Sequence, residues 1–286
     1  MLKIGFIGAG TVGTALAILL DHHNYRVVAV SSRSGTSAKN LAQAVSKCQV
    51  FNHNQGTADA SDLVFITTPD DAIPAVAKEI SWSPGQSVVH CSGADSTDVL
   101  DPANHSGAIA GCFHPLQTLA SINEAVDNIP GSTFAIEAEP PLLGTLKDMA
   151  TAVGGYWIEL KADDKAAYHA AAVIACNYLT TLVKLATDLW QTFSIHPTQS
   201  TPALLPLLLG TLKNLENIGL PQCLTGPIAR GDTSTIKKHM DTLQKVAPSL
   251  LMVYKELGLQ TIPIAVAKGK VSEHQARELE SALKQK

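Results

Sequence analysis

The chain opens with Lys3-Ile-Gly-Phe-Ile-Gly-Ala-Gly-Thr-Val-Gly13, and this stretch decides the fold of its first half. The run Lys3–Ile7 is typical of a buried strand, and the apolar residues after Gly13 are typical of a helix. Between them the glycines follow the pattern GxGxxG. Gly8 suits a tight turn, Gly10 lets a ligand approach the backbone, and Gly13 permits close helix–strand packing. This order predicts a dinucleotide-binding loop, the alternative being a glycine-rich turn without a ligand.

A pyrophosphate in such a loop would bind the free amides at the start of the helix, including those of Thr11 and Val12. Farther along the chain, Thr68 and Pro69 follow a strand predicted at Leu63–Thr67. The carboxyl ends of parallel strands face the ligand crevice. We therefore expect Thr68 and Pro69 to lie against the ribose and the nicotinamide.

The residues after the second predicted strand, Arg26–Ser31, indicate which dinucleotide binds. An acidic residue at this point would hydrogen-bond the 2′-hydroxyl of NAD and repel a 2′-phosphate. The chain instead has Ser31-Ser32-Arg33-Ser34, which contains no carboxylate. Serine hydroxyls and the Arg33 guanidinium suit a phosphate dianion, which arginine binds in a bidentate manner. The pattern predicts NADP(H), the alternative being a solvated arginine on a loop.

Strand and helix patterns alternate as far as Leu160, which predicts a doubly wound, mostly parallel sheet. Further strands are predicted at Ser87–Cys91, Ile109–Phe113, Thr133–Glu137 and Tyr156–Leu160, and helices at Thr11–Asp21, Ser37–Val45, Asp70–Ile80 and Pro141–Val153. Later helices are predicted from Asp163 to Phe193 and at Pro202–Ile218, Ser234–Leu257 and Ser272–Gln285, with Gly219 and Gly258 at C-termini. We predict two domains, an α/β dinucleotide-binding domain over residues 1–161 and an all-α domain over residues 162–286.

The composition excludes several classes of protein. A hydrophobic fraction of 45% and a charged fraction of 16% indicate an ordered globular protein. The net charge of -4 offers no basic surface for nucleic acid. The five cysteines are odd in number and form no CxxC pair, so no disulfide framework is predicted and a reducing cytoplasm is expected. No spacing of cysteine and histidine predicts a metal site. The apolar stretches 170–186 and 202–212 fall short of the ~20 residues of a membrane helix, so no membrane segment is predicted.

Several motifs together resemble a known family over nearly the whole chain. They are GAGTVG at Gly8–Gly13, SSRS at Ser31–Ser34, HCSGADS at His90–Ser96, CFHPLQTLA at Cys112–Ala120, YHAAAVIACNYL at Tyr168–Leu179 and LTGPIARGD at Leu224–Asp232. With them the chain resembles bacterial Rossmann-like proteins that have a helical C-terminal domain of unknown function and are presumed NADP-dependent oxidoreductases. It is more distantly similar to prephenate dehydrogenase, pyrroline-5-carboxylate reductase, deazaflavin-dependent NADP reductase and 6-phosphogluconate dehydrogenase. The resemblance implies a Rossmann domain followed by a helical domain like the C-terminal fold of 6-phosphogluconate dehydrogenase, which forms a homodimer.

Two residues at strand ends are candidates for chemistry. His114 follows the predicted strand Ile109–Phe113, where an imidazole with a pKa near neutral pH could act as general acid and base. Prephenate dehydrogenases carry a similar His-Pro, although a histidine that orders the local turn is an equal alternative. Ser92 follows the strand Ser87–Cys91, and its hydroxyl could hold a substrate oxygen; ordinary turn chemistry is again an equal alternative.

Two residues of the helical half complete the predicted site. Asn177 lies eight positions after His169, roughly 80° around a regular helix, and is expected to orient the substrate. Related dehydrogenases carry a lysine four positions before such an asparagine, but this chain has Val173 there, so their mechanism does not transfer directly. Arg230 is expected to bind an anionic group of the substrate, and Asp232 to cap the next helix.

Together these residues predict an NADP-dependent oxidoreductase of a small, anionic carbonyl, imine or hydroxy compound. His114 would be the acid–base group, and hydride transfer to an acceptor that it polarises needs no metal. Ser92 and Asn177 would orient the substrate, and Arg230 would bind its charge. Two alternatives stay open: a sensor that binds NADP without turnover, and an enzyme that exchanges hydride between NADP and a second redox cofactor such as a deazaflavin.

Overall fold

The computed structural model describes residues 2–285 of the 286-residue chain. Contacts between residues divide it into two compact units, residues 1–176 and 177–286, which are described separately. The first unit therefore includes the start of the long helix that the sequence assigns to the second domain. The division predicted at residues 161–162 stays a prediction.

The first unit is built on an eight-stranded sheet in the order β3-β2-β1-β4-β5-β6-β7-β8. The strands are β1 (Lys3–Ile7), β2 (Arg26–Ser31), β3 (Gln49–Val50), β4 (Leu63–Ile66), β5 (Ser87–His90), β6 (Ile109–Leu116), β7 (Thr133–Ala138) and β8 (Tyr156–Glu159). All neighbouring pairs are parallel except β6 and β7. The predicted α/β class, with a mostly parallel doubly wound sheet, is confirmed.

Helices flank this sheet and connect its strands. They are α1 (Thr11–His22), α2 (Gly35–Ala44), α3 (Asn54–Asp59), α4 (Ile73–Glu79), α5 (Asp101–His105), α6 (Ile122–Asn128), α7 (Leu142–Ala152) and α8 (Lys165–Ala172). The sequence does not predict α3, α5 and α6. They have five to seven residues each, which is too short for a clear helical period.

Four buried phenylalanines form a row across one face of the sheet. The ring centroids of Phe6 and Phe65 are 5.1 Å apart, those of Phe65 and Phe113 are 6.0 Å apart, and those of Phe113 and Phe134 are 4.4 Å apart. Each buried side chain contributes about 1.5–3 kcal/mol of hydrophobic stabilisation. This row fixes β6 within the sheet, and β6 carries His114.

The second unit is helical within the described residues, as predicted. Its helices are α9 (Tyr178–Gln191), α10 (Pro197–Asn217), α11 (Thr233–Val246), α12 (Leu251–Ala267) and α13 (Glu273–Lys284). The single helix predicted at 234–257 is wrong, because Pro248 disfavours helical backbone at Ala247 and separates α11 from α12. Gly258 is likewise not a C-cap: it lies inside α12, where a Cβ would stand 2.9 Å from a Leu283 methyl group. Gly219 does follow a helix end, with a φ of 73°.

Two helical segments are long and apolar enough to cross a membrane by length and composition alone. They are Ala162–Gln191 and Pro248–Ala267, which are longer than the apolar stretches considered from the sequence. Only 6% and 17% of their most apolar windows are buried within this chain. Core helices of soluble proteins pass the same test, so the absence of a membrane segment stays a prediction.

Candidate functional site

A cavity of about 520 Å³ opens at the carboxyl ends of β1, β2 and β4. Among the residues that line it are Gly8, Gly10, Ser32, Arg33, Ser34, Thr68 and Pro69. These come from three separate stretches of sequence, and each had been predicted to contact a dinucleotide. We call this cavity the cofactor cradle.

The three glycines of the loop have different geometry. Gly8 has a φ of 105°, and a Cβ there would lie 2.7 Å from the backbone of Thr67. A Cβ on Gly13 would overlap the Thr67 side chain and the Gly8 carbonyl oxygen. A Cβ on Gly10 would meet nothing within 4 Å. Gly8 and Gly13 are therefore required by the packing of this chain, whereas Gly10 leaves open space beside the backbone.

Two further features of the cradle fit a bound dinucleotide. Helix α1 begins at Thr11 without a side-chain cap, so its first amides are free to bind a phosphate. The Thr68 hydroxyl is buried and has no hydrogen-bond partner among residues 2–285. A buried hydroxyl without a partner is costly, and a bound ribose or carboxamide would supply one.

The four residues after β2 divide into two groups. Ser32 and Arg33 line the cradle, and no carboxylate within residues 2–285 lies within 4.0 Å of the Arg33 guanidinium. Ser34 also lines it, and its hydroxyl accepts from the Ser37 amide as the N-cap of α2. Ser31 is buried, and its hydroxyl donates to Asn54 Oδ1 at 2.7 Å. Ser31 thus positions Asn54, which itself lines the cradle.

A second group of side chains surrounds His114. This residue lies two positions past Cys112, which pairs with the last residue of β5. His114 Nδ1 is 2.9 Å from the hydroxyl of Tyr168, and the two rings meet edge to face. The ring of His169 lies 6.3 Å from that of His114. We call His114, Tyr168 and His169 the histidine–tyrosine cluster; Tyr168 and His169 were not predicted as site residues.

The environment of the cluster keeps His114 and Tyr168 neutral. Burial, followed by the charge of Lys165 and then by His169 and His90, lowers the pKa of His114 from 6.5 to about 4. Burial raises the pKa of Tyr168 to about 12. The expectation that the pKa of His114 lies near neutral pH is therefore wrong, because it ignored burial and the neighbouring cation.

The loop that follows β5, residues 91–96, faces this cluster. The Ser92 hydroxyl lies 2.8 Å from Asp70 Oδ2 and 3.0 Å from Asp95 Oδ2, and it accepts from the amides of Ala94 and Asp95. Its hydrogen bonds are thus made within the chain, and in this structure Ser92 orders the turn. A direct role of Ser92 toward a substrate stays a prediction.

The backbone of this loop approaches the imidazoles closely. A Cβ on Gly93 would lie 2.7 Å from His169 Cδ2 and 2.8 Å from His114 Nε2. His90 holds both ends of this loop, since its Nδ1 accepts from the Ser92 amide and its Nε2 lies 3.2 Å from the Ser96 carbonyl oxygen. Burial and the Lys165 charge lower the pKa of His90 to about 4.

Lys165 was also missed from the sequence. Its side chain is 1% exposed, and Nζ lies 2.7 Å from Cys112 Sγ and 3.1 Å from the Ser92 carbonyl oxygen. Burial raises the pKa of Cys112 to about 11 despite this lysine, and burial also raises that of Cys91, in keeping with their predicted role as small buried side chains. The signal for Lys165 was its spacing: it precedes Tyr168 and His169 by three and four positions, which places all three on one helix face.

Asn177 and Arg230 lie in the second unit. The 80° angle predicted between His169 and Asn177 does not hold, because a π-helical turn spans Val173–Asn177 and changes the number of residues per turn. Arg230 ends a short 3-10 helix and is exposed. Asp232 caps α11, and hydrogen bonds from Thr235 and Ser234 lower its pKa to about 2. The roles of Asn177 and Arg230 toward a substrate stay predictions.

The fold and the cradle define the class of protein, a Rossmann-like domain followed by helices. Family models agree with this class. A Rossmann-like domain matches residues 1–115, and a domain of unknown function, DUF2520, matches residues 132–261. The chain therefore carries the two domains that its motifs resemble. No curated protein matches the sequence.

Solved structures with the same fold include several oxidoreductases. A presumed NADP oxidoreductase from Bacteroides fragilis is 25% identical, with a TM-score of 0.74 over 92% of this chain and 98% of that one. A reductive aminase from Aspergillus terreus, solved with NADPH and ethyl levulinate, is 16% identical, with a TM-score of 0.65 over 98% and 99% of the two chains. Pyrroline-5-carboxylate reductase from Streptococcus pyogenes is 17% identical, with a TM-score of 0.60 over 98% of both chains.

Proposed function

We propose that this protein is an NADP(H)-dependent oxidoreductase that transfers a hydride between the nicotinamide and a small, anionic carbonyl, imine or hydroxy compound. One observation carries the proposal: Gly10 with its open space lines one cavity together with a Thr68 hydroxyl and an Arg33 guanidinium that have no protein partner within residues 2–285. The NADP(H) enzymes among the similar structures support it. We propose that the histidine–tyrosine cluster supplies the proton that the reduced substrate takes up.

Bound NADP(H) would supply or accept the hydride, and the chain's own residues would do the rest. Thr11 and Val12 would bind the pyrophosphate with their amides, and Arg33 would bind the 2′-phosphate. In the reductive direction the Tyr168 hydroxyl would give its proton to the substrate heteroatom. His114 would then donate from Nδ1 to the phenolate oxygen and stabilise it. A neutral imidazole is suited to this role because it does not give up its own proton.

Replacing Arg33 by alanine is expected to remove the preference for NADPH over NADH. The guanidinium would make charge-assisted hydrogen bonds to the 2′-phosphate, worth about 1.5–3 kcal/mol, or roughly 10- to 100-fold in affinity. Calorimetric titration of the unaltered protein and of Arg33→Ala with NADPH and NADH measures this preference directly. Lys39→Ala removes an exposed cation of α2 that does not line the cradle, and it should leave the preference unchanged. Equal loss in both variants would contradict a specific role for Arg33.

Gly10→Val tests the pyrophosphate site in the same titrations. The backbone of Gly10 is extended, with a φ of -80°, and its side-chain position is empty, so valine should fold normally and block only a ligand. Gly144→Val, on the exposed face of α7, controls for adding a branched side chain. Weak binding of both dinucleotides to the unaltered protein would overturn the proposal.

Turnover is then sought by following NADPH oxidation with a panel of 2-oxo acids, cyclic imines and neutral ketones. Oxidation with charged but not neutral members supports an anionic substrate. Tight NADPH binding with no turnover would favour the sensor. NADPH-dependent reduction of a deazaflavin without any organic substrate would favour exchange between cofactors.

We also propose that the second unit forms a homodimer. Leu205, Leu209 and Leu212 lie at helical spacing on α10 and are 49%, 56% and 49% exposed. Exposed apolar stripes of this kind mark interaction surfaces. Light scattering at micromolar concentration is expected to give twice the chain mass, and Leu209→Glu to give the monomer. A monomeric unaltered protein would contradict the proposal.

A further inference from the structure

The ammonium of Lys165 is buried without a carboxylate. Its two neighbours at Nζ are a thiol and a carbonyl oxygen, and no acidic oxygen within residues 2–285 lies within 4.0 Å. Removing an ammonium from water is costly unless an anion compensates it, and a methionine or leucine would fill the same space without that cost. A role in packing alone therefore does not account for a lysine here.

The contacts of Lys165 join three elements of the site. The Ser92 carbonyl oxygen belongs to the peptide that leads into Gly93, so the bond at 3.1 Å fixes Gly93 against the imidazoles. Cys112 belongs to β6, two residues before His114, and its Sγ is 3.4 Å from the same carbonyl oxygen. Lys165 itself begins α8, one turn before Tyr168. Strand, loop and helix thus meet at one nitrogen atom.

We propose that Lys165 is a positioning residue of the site. It holds the Ser92–Gly93 peptide and β6 against α8, and it keeps a positive charge close to His114. This inference rests on the proposed function for its catalytic meaning, but its structural content is independent of turnover. The side chain is buried, so Lys165 acts through the groups it holds.

The charge of Lys165 has a measurable consequence at His114. Lys165 is the largest cause of the lowered pKa of His114 after burial, and it acts on His90 in the same direction. The titratable groups around this loop are Lys165, Tyr168 and His169 on α8, His90 on β5, Glu137 on β7, and Asp70 and Asp95 beside Ser92. Removing only the Lys165 charge takes away the second-largest cause of the lowering, so the His114 pKa should rise.

The test is a nuclear magnetic resonance titration of the histidine rings in the ligand-free protein, with His114→Asn to assign the signal. In the unaltered protein His114 is expected to titrate near pH 4. In Lys165→Met it should titrate at a clearly higher pH, although still below 6.5 because burial remains. Cys112→Ala is the matched control, because it removes the sulfur from the same contact but keeps the ammonium, and it should leave the His114 titration within a few tenths of a unit.

Three results would overturn the proposal. They are an unchanged His114 titration in Lys165→Met, an equal shift in Cys112→Ala, or a titration near pH 6.5 in the unaltered protein. If Lys165→Met does not fold, Lys165→Gln keeps a donor without the charge, and the same comparison with the unaltered protein is made with that variant. NADPH binding should be the same in all folded variants, because the cofactor cradle is separate from these contacts.

Once a substrate is known, Lys165→Met should lower kcat at least tenfold with little change in KM. The acid limb of the pH–rate profile should move to higher pH together with the His114 titration. If Lys165→Met shifts the His114 titration but the protein turns over no substrate, the positioning role of Lys165 stands and only the proposed oxidoreductase activity is refuted. An unshifted titration in an active enzyme would refute the positioning role alone.

Discussion

Lowering the pH from 7 to 4.5 is expected to destabilise the first unit by several kcal/mol. His90 and His114 have pKa values of about 4 in the folded protein, against 6.5 for an ordinary histidine. As the pH falls, the unfolded chain binds protons first, near pH 6.5, while both buried rings stay neutral. The contribution to stability is therefore present above pH 6.5 and is lost as the pH falls toward 4, by about 2 kcal/mol for each histidine at pH 4.5.

Urea unfolding at several pH values measures this effect, with the fluorescence of buried Trp82 reporting on the first unit. The midpoint should fall steeply between pH 6.5 and 4.5. His114→Asn should flatten the pH dependence by about half, since one of two titrating groups is removed. His274→Gln removes an exposed histidine from α13 and should not change it. A midpoint that is constant over this range would contradict the burial of both neutral rings.

The strands of this fold could be predicted because buried parallel strands are near-continuous apolar runs. The bounds of β1 and β2 agree with the prediction to the residue, and the glycine loop between β1 and α1 follows from its spacing. The two-residue strand β3 was missed because it has no pattern of its own. The helix predicted across Pro248 is wrong for another reason: apolar periodicity continues through this stretch, but proline disfavours helical backbone at the residue before it.

The site could be predicted only where a strand end specifies it. His114 and Ser92 were found in this way, although the strand predicted to end at Phe113 continues to Leu116, so His114 lies within β6 opposite Ala135 of β7. Tyr168 lies 54 positions from His114, and Lys165 lies 53 from Cys112, so neither contact leaves a local signal. The low pKa of His114 could not be predicted either, because it depends on burial and on that distant lysine.

His114→Asn is expected to slow turnover by 10²- to 10⁴-fold while leaving NADPH affinity nearly unchanged. Asparagine keeps a side-chain amide near Nδ1 but cannot stabilise a phenolate as well as an imidazole. Tyr168→Phe removes the proposed proton donor and should cost a similar factor. Because the two residues would act on one proton, the double variant should be little slower than either single variant.

This last comparison distinguishes the proposed pair from two independent contributions. Separate roles would multiply, so the double variant would lose roughly the product of both factors. His169→Gln is the matched control. The ring of His169 lies 6.3 Å from that of His114, but the mechanism gives it no part in the proton transfer, so this substitution should have a much smaller effect. Unchanged turnover in His114→Asn would remove His114 from the mechanism. Unchanged turnover in Tyr168→Phe alone would contradict the role of Tyr168 as the proton donor. It would leave His114, which is neutral at pH 7 because its pKa is about 4, without the partner that this mechanism gives it.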